Sequence, residues 1–107
     1  MSTREPATTT STKDKASYKL PSDTTLKNAV RLAIVEDKPI MMDYWTISLE
    51  KKAVIGVKDT GEKILVRSES EYTSSVSKFY KSGEDYIIIT ENSIYLVSSD
   101  IPTKKIT

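Results

Sequence analysis

Residues 86–98 read YIIITENSIYLVS, two runs of β-branched and aromatic residues with a short polar segment between them. Runs of this composition favour β-strands, and the Glu91-Asn92 pair between them is typical of a tight turn. We therefore expect residues 86–90 and 93–98 to form an antiparallel hairpin.

Several upstream segments share this composition. Strands are predicted at residues 40–49, 53–58 and 63–68, which are rich in Ile, Val, Met, Tyr and Trp, and a shorter strand at residues 78–81. Residues 59–62 read DTGE, a tight hairpin turn in which Gly61 supplies a positive φ. Residues 82–84 predict another turn, and the polar residues 69–77 predict a loop or a short helical turn.

One helix is predicted before the strands. Its apolar residues recur at i, i+3, i+4, i+7 and i+8 and form one stripe, expected to be buried: Leu26, Ala29, Val30, Ala33 and Ile34. Ser22 or Asp23 is suited to cap the amino terminus of this helix. Pro39 disfavours helical geometry at Lys38, so the helix should end near Asp37.

These elements predict an α+β fold in one small domain. The helix is followed by a five- to six-stranded antiparallel sheet, either a meander curled around the helix or a small half-open barrel. Residues 1–20 form a Ser/Thr-rich extended arm, residues 21–101 the domain, and residues 102–107 a short carboxy-terminal tail. Residues 1–17 hold eight Ser/Thr and only three apolar residues, so the arm is expected to be disordered or ordered by a partner.

The residue types that are missing exclude most small-enzyme chemistry. The chain of 107 residues has no Cys and no His, so disulfides, Cys/His zinc sites and imidazole bases are excluded. The candidate carboxylates for Mg²⁺ or glycoside chemistry are Glu69/Glu71, Glu84/Asp85 and Glu91, but they lack the sequence context of such sites. We therefore expect no catalytic residue, no metal and no cofactor.

Contact residues are the remaining candidates for function. Strand alternation would put Asp43 and Trp45 on one sheet face and Tyr44 on the other. Trp45 is expected in the core or as its lid, whereas Tyr44 is left open between a core position and an exposed interface anchor. The candidate protein-interface residues are Thr8, Thr9, Thr10, Lys13, Lys15, Tyr18, Leu20 and Tyr44.

Net charge and hydropathy limit the partners. A formal charge of +1 gives no global field toward nucleic acid or an anionic membrane. Apolar runs of four residues at most predict no membrane span, and the amino terminus does not resemble a signal peptide. A helix followed by strands is the order of the Sm-like barrel, and residues 89–94, ITENSI, resemble the last hairpin of that family. Thr90-Glu91 stands where that family has Arg-Gly, which argues against an RNA partner.

Three segments carry a second resemblance. Residues 26–30 (LKNAV), 36–45 (EDKPIMMDYW) and 86–95 (YIIITENSIY) resemble small proteins of large nucleocytoplasmic DNA viruses, the chlorovirus and mimivirus-like group, over residues 20–101. The resemblance implies a virion protein assembled in the host cytoplasm, a minor capsid or cement protein whose partners are capsid or other virion proteins. The predicted function is a non-enzymatic structural or assembly protein that binds neighbouring subunits through its arm and sheet. The alternative is a small interaction module with an Sm-like or OB-like barrel that binds nucleic acid.

Overall fold

The predicted helix is the first element of the structure, a computed structural model that describes residues 19–106. Helix α1 spans Asp23–Glu36, and the Ser22 side chain accepts a hydrogen bond from the Thr25 backbone N–H at 3.1 Å. Asp37 ends the helix in the left-handed region, with φ 56°. The next backbone N–H, that of Lys38, returns to the Ala33 carbonyl at 3.2 Å, a common way to satisfy a terminal carbonyl. The predicted helix and its cap are confirmed.

A second helix and eight strands follow in the part of the chain that the structure describes. They are β1 Ile40–Met41, α2 Trp45–Leu49, β2 Val54–Val57, β3 Lys63–Ser68, β4 Glu71–Tyr72, β5 Val76–Ser82, β6 Asp85–Thr90, β7 Ile94–Ser98 and β8 Thr103–Lys105. The strands form two four-stranded sheets that do not close into a barrel. The inner sheet has the order β1-β7-β6-β5, and the outer sheet has the order β4-β3-β2-β8.

The central strands of the inner sheet, β6 and β7, are buried on both faces. One core cluster joins α1 to this sheet and contains Ala29, Trp45, Ile87, Ile89, Ile94 and Leu96. The other cluster lies between the two sheets and contains Tyr44, Ala53, Ile55, Leu65, Ile88, Val97 and Ile101. Successive residues of β6 therefore enter opposite clusters, which explains the uninterrupted Ile87-Ile88-Ile89 run. The α+β class and the hairpin of β6 and β7 are confirmed.

The strand predicted at residues 40–49 is wrong beyond Met41. Strand β1 pairs in parallel with β7 only at Ile40 and Met41, and α2 packs against β7 further along. The Ser48 hydroxyl accepts a hydrogen bond from the Ser98 backbone N–H at 2.9 Å. The Ser48 hydroxyl thus accepts a hydrogen bond that a neighbouring strand would otherwise accept. Because Ser48 and Ser98 lie far apart in the chain, local strand propensity does not indicate this contact.

Three further predictions need correction. Two sheets replace the single antiparallel sheet, and the pairings of β1 with β7 and of β2 with β8 are parallel. Residues 69–77 contain β4, a short strand paired with β3. The tail predicted at residues 102–107 is wrong for residues 102–106, because β8 pairs with β2 and the Ile106 N–H donates to the Val57 carbonyl at 2.8 Å. The side chain of Ile106 also lies against Gly56, where a Cβ atom would come within 2.8 Å of it.

Candidate interaction surface

Helix α1 faces the inner sheet with a different side from the one predicted. Thr25 and Ala29 are fully buried, and Leu32 is half-buried against the same cluster. Val30 and Ile34, expected in the buried stripe, are 52% and 76% exposed. The predicted stripe is therefore wrong for these two residues, although Ala29 lies in the core as expected.

Polar contacts at the amino terminus of α1 fix its rotation. The Asp85 carboxylate, only 6% exposed, accepts hydrogen bonds from the Thr25 hydroxyl at 2.8 Å and from the Ser22 backbone N–H at 3.1 Å. A charged acceptor buried against these donors binds them strongly, and negative charge is favourable at a helix amino terminus. Thr25 must therefore face the sheet, which turns Val30 and Ile34 outward.

An ion pair holds the other end of the helix. Glu36 lies 2.6 Å from the ammonium of Lys78 on β5. The hydrogen bond from Lys78 lowers the pKa of Glu36, and the same hydrogen bond raises the pKa of Lys78. Lys38 adds a hydrogen bond to the Thr90 carbonyl at 2.7 Å. Both ends of α1 are thus tied to the inner sheet by polar contacts.

The outward side of α1 is an apolar surface bordered by positive charge. Val30 and Ile34, which are exposed, and Leu26, which is half-buried against the core, lie at i+4, i+8 and i on one helical face, and we call them the apolar strip. Lys27 and Arg31 line the same surface and are exposed. A contiguous apolar surface with a polar border is typical of a protein contact site. Other large apolar side chains with exposed surface are Leu20, Val35, Met41, Met42, Tyr72 and Tyr80.

The predicted interface residues are divided between three locations. Leu20 is 68% exposed just before α1, in keeping with a contact residue. Tyr44 is 5% exposed in the core between the sheets, so it is not an exposed anchor. Thr8, Thr9, Thr10, Lys13, Lys15 and Tyr18 lie outside the described residues.

The two neighbouring aromatics of this region are both buried. Trp45 is 5% exposed, as the core interpretation predicts, and its indole N–H donates to the Lys19 carbonyl at 2.7 Å. Tyr44 meets Tyr95 edge to face, with ring centroids 5.4 Å apart. Burial raises the pKa of both tyrosines. These residues therefore stabilise the fold and offer no surface to a partner.

The carboxylates considered for catalysis have other surroundings. Asp85 accepts the hydrogen bonds from Ser22 and Thr25 described above. Glu69 and Glu71 are exposed, with Glu71 3.7 Å from Arg67. Within residues 19–106, no group of three or more acidic side chains is placed to hold a metal ion. No helix in the same range is long and apolar enough to cross a membrane.

Comparisons with protein-family models, curated proteins and solved structures found no match for this chain. The similarities to viral proteins and to the Sm-like barrel therefore depend on the quoted residues alone.

A groove on the outer sheet combines an aromatic side chain with two cations, the residue types of a nucleic-acid surface. It measures about 710 Å³ and places Tyr72 beside Lys58 and Lys105. Glu69 lines it too, and Asp59 lies 3.9 Å from the Lys105 ammonium. Because both signs of charge meet here, the groove lacks the continuous positive potential that phosphate binding requires.

Sequence reasoning missed Val30 and Ile34 as surface residues. The helix sequence DTTLKNAVRLAIVE contains seven apolar residues among its 14 positions, more than one buried stripe needs. That excess is the signal for a second apolar side. Periodicity alone could not say which side meets the sheet, because the choice depends on the contact between Thr25 and Asp85.

Proposed function

We propose that this chain is a non-enzymatic structural or assembly protein that docks onto another protein through the apolar strip of α1. The exposure of Val30 and Ile34 on a helix fixed at both ends is the observation that supports it. A side chain such as Ile34 gains about 1.5–3 kcal/mol when a partner buries it fully. A docked partner would therefore give this surface a stabilising role.

The bordering charges indicate the chemistry of that partner. Lys27 and Arg31 favour an apolar ridge or helix with acidic side chains along its flank. In an antiparallel pair of two α1 helices, each helix would present these cations on the same side of the interface, where they repel. We therefore propose a different protein as the partner and not a second copy.

The setting we propose is a virion of the large DNA virus group, with capsid or other virion proteins as partners. The quoted sequence resemblance supports it. Residues 1–20, which end at the exposed Leu20, are proposed as a second contact.

The double substitution Val30→Asp/Ile34→Asp tests the proposed surface. It should leave the free energy of unfolding within about 1 kcal/mol, since both positions are exposed, and should abolish incorporation into purified particles, measured by mass spectrometry. Thr24→Asp, at another exposed position of α1, is the matched control and should be incorporated normally. Normal incorporation of the double variant would contradict docking through the strip, and absence of the native chain from particles would contradict the virion setting.

A further inference from the structure

Within residues 19–106, strand β5 forms one edge of the inner sheet and pairs with no strand on its outer side. β5 is the last strand of the order β1-β7-β6-β5, and its seven residues Val76–Ser82 pair with β6 on one side only. Gly83, with φ 62°, begins a two-residue loop that closes on the Ser82 and Asp85 pair. In such a hairpin the closing pair is hydrogen-bonded, and alternate pairs follow. The backbone groups of Phe79 and Lys81 are therefore directed away from β6, toward the open edge.

A cleft runs beside this edge, between α1 and β5. It measures about 270 Å³, has Leu32 and Ile87 among its apolar lining residues, and is bordered by Tyr80. Arg31 from the helix supplies positive charge, and within residues 19–106 no acidic side chain lines the cleft. Lys81 borders the cleft through the strand, with its side chain on the opposite sheet face by alternation. Asn28, Arg31 and Val35 lie on one helical side by their i, i+3 and i+7 spacing, so the 71% exposed Val35 continues the apolar surface.

We propose that β5 binds an extended acidic peptide segment of another protein, which adds to the inner sheet as a fifth strand. Main-chain hydrogen bonds to Phe79 and Lys81 would supply affinity that does not depend on sequence. Alternate side chains of the added strand would project toward α1, where Arg31 selects acidic residues and Val35 and Tyr80 offer apolar contact. The remaining side chains would project to the opposite sheet face, where strand alternation places the Lys81 side chain. Arg31 borders both this site and the apolar strip, and the other residues of the two sites differ. The proposal does not depend on the function proposed above.

Charge argues against two other occupants. Residues 1–18 of this chain contain Arg4, Lys13 and Lys15 against Glu5 and Asp14, a net charge of the wrong sign for a basic cleft. A second copy paired edge to edge would bring two sets of Arg31, Lys78 and Lys81 together. Lysines on an edge strand also discourage unwanted pairing, and the experiment separates that role from peptide recognition.

The probe is a capped seven-residue peptide that alternates valine and glutamate, titrated into the ¹⁵N-labelled full chain and followed by NMR. The amides of Phe79 and Lys81 should shift, and the same peptide with lysine in place of glutamate should bind at least about tenfold more weakly. Equal affinity for the two peptides, shifts confined to other strands, or no binding at millimolar peptide would overturn the proposal.

Two variants test the contributions of the β5 backbone edge and of the positive charge to peptide binding. Lys81→Pro removes an outward N–H that the sheet does not use, so the fold should persist while affinity falls about tenfold. Arg31→Glu should lower the affinity for the acidic peptide and raise the affinity for the lysine peptide. This reversal does not depend on how Lys81→Pro folds. Lys58→Gln, an exposed cation on the outer sheet, is the control and should bind as the native chain does. Unchanged binding by Arg31→Glu, or an edge-to-edge dimer that Lys81→Pro dissociates without peptide, would overturn the proposal.

Discussion

Asp85 shows how one side chain decides which surface a helix offers. Its carboxylate lies at the start of β6, yet it accepts hydrogen bonds from Ser22 and Thr25 at the start of α1. Because Thr25 is thereby held against the sheet, the opposite side of the helix becomes the exposed apolar strip. The Asp85 carboxylate thus both stabilises the start of α1 and determines which side of the helix is exposed as the proposed docking surface.

We expect Asp85→Asn to lower the free energy of unfolding by about 1–3 kcal/mol, because it removes a buried charged acceptor from two donors. Urea unfolding monitored by circular dichroism measures the loss. Glu84→Gln, an exposed acidic residue one position earlier, is the control and should change stability by less than about 0.5 kcal/mol. Equal effects of the two substitutions would mean that Asp85 does not hold α1 in place.

Tyr44 and Tyr95 should titrate at a higher pH than a free tyrosine. Burial raises the pKa of both, so the neutral hydroxyls are favoured in the folded protein. Their contribution to stability is present below the unfolded pKa of about 10 and is lost as pH rises through the folded values. Tyrosinate absorbance in an alkaline titration tests this, and Tyr95→Phe should remove one late-titrating group. Titration of Tyr44 and Tyr95 at the pH of a free tyrosine would contradict the burial of this pair.

The sequence could not place Tyr44 because its burial depends on residues distant in the chain. Tyr44 packs against Tyr95, and Ser48 contacts Ser98 about fifty positions away. Residues 40–49 have a high strand propensity, since Met, Tyr and Trp suit a pleated surface. The contacts of α2 with β7 override that propensity, and no local pattern reports them.

The ion pair of Glu36 with Lys78 connects α1 to β5 and should give this contact a pH dependence. The Lys78 hydrogen bond lowers the pKa of Glu36. The stabilising effect is therefore present above the unfolded pKa of the carboxyl group, and it is lost as pH falls through the lower folded value. Glu36→Gln should remove that acid-side loss of stability, measured as the urea midpoint at a series of acidic pH values.

Glu50→Gln is the control for Glu36. Glu50 also lies near a lysine, 3.3 Å from Lys52, but both side chains are more than half exposed. An exposed pair of this kind contributes little to stability, so the acid profile of Glu50→Gln should follow that of the native chain. If Glu36→Gln and Glu50→Gln change the acid dependence of the urea midpoint equally, the ion pair between α1 and β5 does not contribute more to stability than an exposed pair.

Elements formed by adjacent residues could be predicted from the sequence, and elements paired across the chain could not. Strand β3 has the predicted bounds, and the β6 and β7 hairpin forms around Glu91-Asn92, because composition and turn chemistry are local. The parallel pairing of β2 with β8 joins Ile55 to Thr103, and nothing near either residue indicates the other. The separation of the strands into two sheets follows from such long-range pairings.

The whole molecule should respond differently to shortening at its two ends. β8 contributes backbone hydrogen bonds to β2, among them Ile55 N–H to the Pro102 carbonyl at 2.9 Å, and Ile106 covers Gly56. A chain ending at Ile101 loses these contacts and should be less stable by about 2–4 kcal/mol, from several hydrogen bonds and the burial of one Ile. A chain beginning at Lys19 keeps the carbonyl that accepts from Trp45 and should stay within about 1 kcal/mol of the full length. Urea unfolding of the three proteins measures both differences. Equal stability of the chain ending at Ile101 and the full-length chain would mean that β8 is dispensable, and the outer sheet would then be a three-stranded unit that ends at β2.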